Sequence, residues 1–199
     1  MHRPLRCVPA LLIALVAAAC ANEGTISHRT IHRSMIEQAV TQMRGGSTVT
    51  LVVIGSPFVV NPTAEDRAAF ETQVAANIQD ANPGGGAQFS PMTADAARGH
   101  RRIVLVFDGP ANTNGPDLCD AVLPTGGRAN AVGEIRVVAA FCAADNRAYS
   151  SLAARHSGAV SAEDPKFRLF LRRIIHGLLP FEDPQSHPDH DRGEYPLAL

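Results

Sequence analysis

Two runs constrain this chain most: residues 48–54 (TVTLVVI) and 102–108 (RIVLVFD). Both are β-branched and apolar almost throughout, without the polar alternation of a strand that has one wet face. Each therefore reads as a strand buried on both sides, which requires a sheet with cover above and below its middle. Between them, residues 64–81 carry Phe70, Val74, Ile78 and Ala81 at helical spacing. Thr63 followed by Asp66 predicts a capping box with Asp in place of Glu, and Pro83 with Gly84, Gly85 and Gly86 stops the helix. A strand, a helix and a second apolar strand predict a right-handed crossover with the two strands parallel.

The rest of the chain is fitted around that unit. Ser27 reads as the cap of a first helix running to about Met43, with Ile31, Met35, Ile36, Ala39, Val40 and Met43 on one face and Gly45-Gly46 ending it. Residues 109–133 show no periodicity. A loop of that length in a compact domain is either functional or held by a cross-link, and Cys119 within it favours the cross-link. Residues 134–142 (EIRVVAAFC) predict a third strand, Asp145-Asn146 a turn, and residues 147–155 the returning edge strand of a hairpin. Asp164 and Pro165 supply the N-cap and first position of a last helix over 165–179. Its apolar stripe is Phe167, Phe170, Leu171, Ile174, Ile175 and Leu178, and its outer face carries Lys166, Arg168, Arg172, Arg173 and His176. The expectation is an α/β (α+β) sandwich, a small mixed β-sheet of about four strands packed by three helices, forming a single domain over 27–180. The polar, proline-punctuated segment 181–199 is expected to be a disordered tail.

The first twenty residues carry a different kind of information. His2, Arg3 and Arg6 precede an apolar stretch from Val8 to Ala19, interrupted only at Pro9 and too short to span a bilayer as a mature helix. That is the pattern of a secretory signal peptide over 1–19. Its end, Ala17-Ala18-Ala19-Cys20, resembles the lipobox of bacterial lipoproteins, with Ala17 where leucine is usual. The resemblance implies cleavage before Cys20, acylation of its sulfur (palmitate among the chains) and of the new N-terminus, and a lipidated tether over 20–26. It implies a periplasm-facing address in the cell envelope. Ala21 is compatible with outer-membrane rather than inner-membrane sorting if the host is Gram-negative. The order of elements is also similar to that of several envelope lipoproteins that assist secretion or cell-wall synthesis, without a shared motif.

Charge and cysteine content follow from that address. Loss of Arg3 and Arg6 leaves 16 basic against 19 acidic residues, a formal charge of −3, which gives no electrostatic footprint for nucleic acid. Cys7 leaves with the signal and Cys20 takes lipid. Cys119 and Cys142 remain as a pair in an oxidising compartment, which reads as one disulfide, with a pair of buried thiols as the alternative.

Several constellations invite a chemical reading. Gly55-Ser56 follows a buried strand, but Gly55-Ser56-Pro57-Phe58 is not a nucleophile elbow, and Pro57 has no N–H to give an oxyanion hole. Asp108 stands at the C-terminal end of a strand, where α/β proteins often place functional carboxylates, and Asn112, Asn114 and Asp117 follow it. The EF-hand register fails, which favours Asx turns. His28 and His32 are four apart, a spacing that holds zinc on one helix face, but Arg29 and Arg33 disfavour a divalent ion there. His187, Asp189, His190 and Asp191 form a second candidate metal cluster. Gly84-Gly85-Gly86 lacks the context of a phosphate loop. The basic face of the last helix reads as solvated, with anionic headgroups or an acidic partner as the sharper alternative.

Together these readings predict a lipid-anchored envelope protein, a non-catalytic binding or assembly factor without cofactor, metal or catalytic residues, whose partners are the membrane and an envelope protein. The alternative is an envelope hydrolase assembled from Ser56, Asp108 and a histidine.

Overall fold

A computed structural model describes residues 24–59, 61–81, 86–110, 112–120 and 133–179. The expected signal peptide, Cys20, most of the expected tether, segment 181–199 with its histidines, and residues 121–132 of the long loop lie outside the described residues. In chain order the elements are β1 (Thr25–Ile31), α1 (Arg33–Arg44), β2 (Thr48–Ile54), α2 (Ala64–Asp80), β3 (Gln88–Pro91), β4 (Arg102–Phe107), a short 3-10 turn (Pro116–Cys119), β5 (Glu134–Cys142), β6 (Ala148–Ser157) and α3 (Pro165–Leu178). The strands form one mixed sheet in the order β1-β6-β5-β4-β2-β3. β2 runs parallel to β3 and β4, while β4, β5, β6 and β1 are joined antiparallel.

The sheet has six strands, not about four. Both additions lie at its edges. β3 is only four residues long and closes with Pro91, so neither length nor propensity announces it; Ala87 and Phe89 turn inward while Gln88 faces out. The side chain of Gln79 in α2 fixes it, accepting from the Phe89 N–H and donating to the Ala87 carbonyl. The first helix begins at Arg33, not Ser27. Residues Thr25 to Ile31 pair instead with β6, and four of the seven are Thr or Ile, which suit an extended edge strand. β1 takes Thr25 and Ile26 from the expected tether and covers β6, which is therefore an interior strand and not an edge.

All three helices lie on one face. Leu51, Ile103, Leu105, Phe107, Val137, Phe141 and Leu152 meet Met43, Ile78, Phe167, Leu171 and Ile174 in the main core. At its end Phe58, Phe70, Phe107 and Phe167 form a cluster with ring centroids 5.0–6.1 Å apart, mostly edge to face, the arrangement that ring quadrupoles favour. On the other face Val52, Val104, Val106, Ala140 and Cys142 are covered by Ala97 and by Leu118 and Cys119 of the 3-10 turn. Cover on both sides is why β2 and β4 are apolar without alternation; every residue of β4 is buried.

That second layer is held by covalent and polar links. Cys119 and Cys142 are at disulfide distance, with Cα atoms 5.4 Å apart. Beside them, Arg102 is buried and donates to the Cys119 carbonyl at 2.7 Å and to Asn146 Oδ1 at 2.9 Å. The turn also touches β6, where Gly115 packs against Ser151, and the rest of this face towards β6 and β1 carries no helix.

Candidate functional site: a cationic groove on the face without helices

The strand register builds the site. Residues directly opposite on antiparallel strands share a face. Thr25 of β1 is opposite Arg155 of β6, and Arg155 is opposite Arg136 of β5, so three polar side chains form one row across the sheet. In the next row stand Ser27, Ala153 and Val138. A groove of about 430 Å³ runs over these rows, within the range of a small-molecule site. Gly109, Pro110 and Thr113 line it from the loop after β4, and His28 lines it from β1.

Each wall has a local cause. The β1–β6 register slips between Ser27 and Thr30, and His28 takes a left-handed conformation (φ +52°) within that bulge. A bulge of this kind re-aims side chains at a sheet rim. Here His28 lines the groove, and the Arg29 Nε donates to the Gly177 carbonyl of α3 at 2.9 Å. At the other wall Asp108 is left-handed (φ +48°) and ends β4. Its N–H donates to the Arg136 carbonyl at 2.8 Å, and its Oδ1 accepts from the Arg136 N–H at 3.0 Å. Asp108 thus pins the backbone that presents the Arg136 side chain.

Electrostatically the groove is cationic. Two guanidinium-bearing residues, Arg136 and Arg155, stand directly opposite one another, a like-charge cross-strand pair. The Arg155 Nη1 lies 3.8 Å from the Glu134 carboxylate, a long and exposed contact. Arginine forks, hydroxyls and an imidazole are the donor set that holds carboxylate or phosphate oxygens.

The residues singled out in the sequence are distributed as follows. Ser56 leaves β2 after Gly55, whose φ of +79° and closeness to the Phe107 carbonyl mark an obligatory turn. Neither Ser56 nor Asp108 lines the groove. His28 and His32 do not share a helix face: one sits in the β1 bulge and the other is the N-cap of α1, without a side-chain capping bond. Asn114 donates to Asp117 at 3.3 Å. Among the described residues, no three His, Cys, Asp or Glu side chains gather as a metal set. His156, the most buried histidine described, lies on the helix-covered face against Phe170. Arg136 and Arg155 were not legible as a pair, because nothing local links them. Only the hairpin register brings them together.

No protein-family model matches the chain, and no curated protein matches it. Among solved structures it is similar to a PelC dodecamer from Paraburkholderia phytofirmans, at 11% identity and a TM-score of 0.40, over 79% of this chain and 98% of that one. A second crystal form of that PelC matches at 13% identity and a TM-score of 0.38, over 79% and 99%. Likeness this slight assigns no family.

Proposed function

We propose that this chain is a lipid-anchored envelope protein that acts as a non-catalytic binding module, and that its ligand is anionic and seats in the groove between β1, β6, β5 and the loop after β4. The observation that carries the reading is the direct cross-strand pairing of Arg136 with Arg155. Two guanidinium groups presented from one row of the sheet can offer an oxyanion two charge-assisted contacts. Thr25, Ser27 and His28 add donors at the β1 side. The signal peptide and the lipobox-like Ala17-Ala18-Ala19-Cys20 support the address, with the module facing the periplasm.

Calorimetric titration of the chain from Cys20 onward with inorganic phosphate and with glucuronate tests the reading. Saturable binding that weakens about tenfold or more in either Arg136→Gln or Arg155→Gln is expected, since a hydrogen bond to a charged group contributes about 1.5–3 kcal/mol. Equal affinity in wild type and both variants would rule out the groove.

A further inference from the structure

The described chain enters the domain at a particular place. Gly24 packs so closely that a Cβ there would lie 2.9 Å from the Arg155 carbonyl, 3.0 Å from the Phe170 ring and 3.3 Å from His156 Nδ1. The flank of α3 is therefore where the chain arrives. From Cys20 to Gly24 there are only four peptide steps, which span at most about 14 Å. A lipid on Cys20 accordingly keeps α3 within a few helix diameters of the bilayer, whatever path the tether takes.

The surface at that place has an unusual composition. Val160, just before α3, is 82% exposed, and Leu169 in its second turn is 51% exposed. At 100° per residue, Leu169 lies at the centre of the outer face, with Lys166 and Arg173 on one side and Arg172 and Arg168 on the other. Ile26, 40% exposed, lies beside Gly177 towards the end of the same helix. Of the five large apolar side chains that are exposed among the described residues, these three border α3, Val160 before its N-terminus and Ile26 towards its C-terminal end. The nearby acids are exposed Glu163 and Asp164, and Asp164 is occupied in capping the Lys166 and Val160 amides.

We infer that the outer face of α3, with Val160 and Leu169 entering the interface and Lys166, Arg168 and Arg172 meeting phosphate headgroups, docks on the anionic bilayer to which the tether holds it. The inference rests on the lipid anchor of the proposed function. Apolar side chains ringed by long cationic stems are what an interfacial surface needs, because the stems reach the headgroups while the apolar tips leave water. The lipid makes the approach intramolecular, so a small patch suffices. This orientation leaves the groove, on the opposite face of the sheet from α3, open to the periplasm.

The chain has no tryptophan, so a single one reports position. Leu169→Trp and, as a remote reference, Met92→Trp are made in the chain from Cys20 onward. Cys20 is coupled to a maleimide phospholipid in vesicles of phosphatidylcholine, with or without phosphatidylglycerol. On phosphatidylglycerol vesicles the emission at position 169 should shift to the blue and be quenched by brominated lipid, while position 92 should stay at its aqueous wavelength. Neutralising Lys166, Arg168 and Arg172 to Gln should reduce the docked fraction by up to about fivefold per charge. Water-like emission at position 169 on the tethered protein, or quenching indifferent to lipid charge and to the triple variant, overturns the proposal; in that case the face is left for an acidic protein partner. Chemical coupling separates this test from the anchor itself, which is read independently from the intact mass of native Cys20.

Discussion

The His156 ring stacks on Phe170, with centroids 5.1 Å apart and planes 20° from parallel, and neither of its buried nitrogens has a hydrogen-bond partner among the described residues. Burial holds this imidazole below its ordinary value; Asp164 opposes the shift, and Lys166 and Arg173 add to it. The folded state therefore prefers the neutral ring, whereas the unfolded chain takes up a proton near an ordinary histidine value of about 6.5. Stability from this site is full above that pH and is lost as pH falls towards the lower folded value. Urea melts at a series of pH values should show the midpoint declining below about pH 6.5. In His156→Phe, which keeps the stacking, that part of the decline should vanish.

Arg102 and the Cys119–Cys142 link act on the same few atoms. The Arg102 guanidinium donates to the Cys119 carbonyl, so the two features jointly hold the 3-10 turn against β4 and β5. Arg102→Met should cost about 1.5–3 kcal/mol by leaving buried acceptors without a charged donor. Cys119→Ser should cost about 2–4 kcal/mol. Because both changes release one turn, the double variant should lose less than the sum, and a double-mutant cycle by denaturant unfolding measures the coupling. Strict additivity would show that the two act on separate elements.

The parts of this fold that were legible in the sequence are those whose cause is local. The capping box of α2 is three residues of chemistry: Thr63 Oγ1 accepts from the Asp66 N–H, and the Asp66 carboxylate accepts from the Thr63 N–H. β2 and β4 declare themselves because burial on both faces makes them apolar almost throughout, without alternation. The stripe of α3 needs only its period. By contrast, the extended form of residues 25–31 depends on β6, more than a hundred residues later. Ile31 continues the stripe of Met35 and Ile36 in α1 backwards at helical spacing, and only the pairing of Thr25 to Ile31 with β6 decides against a helix there. β3 is invisible for the same reason, since its register comes from β2 and from the Gln79 side chain. The groove depends on two such non-local registers at once, so its arginines lay in the hairpin without any motif to mark them.

Gly55 offers a sharp test of the turn that ends β2. It sits at φ +79°, and a Cβ there would come 2.5 Å from the Phe107 carbonyl oxygen, a backbone atom that cannot rotate away. Gly55→Ala should therefore destabilise through both strain and overlap, by about 1–3 kcal/mol or more. Ser56→Ala, beside it, should change stability little. Thermal melts of the two variants give the comparison, and a Gly55→Ala protein as stable as wild type would mean that this crossing is looser than its geometry.

The arginine pair makes a prediction of opposite sign for stability and for binding. Arg136 and Arg155 face each other across β5 and β6, and like charges directly opposite destabilise an antiparallel pair by a few tenths to about 1 kcal/mol. Arg155 is the more exposed of the two, and among the described residues its side chain has the long contact to Glu134. Arg155→Gln should therefore leave the empty protein as stable as wild type or slightly more so, while removing most of the stabilisation that added phosphate confers. Wild type should gain in melting temperature as phosphate rises, by mass action on the folded state, and the variant should gain much less. The same titration in sodium chloride of equal ionic strength separates binding from screening, because screening alone would raise wild type equally in both salts. A variant that loses stability without phosphate, and responds to phosphate as wild type does, would show that Arg155 braces the sheet and does not hold an anion.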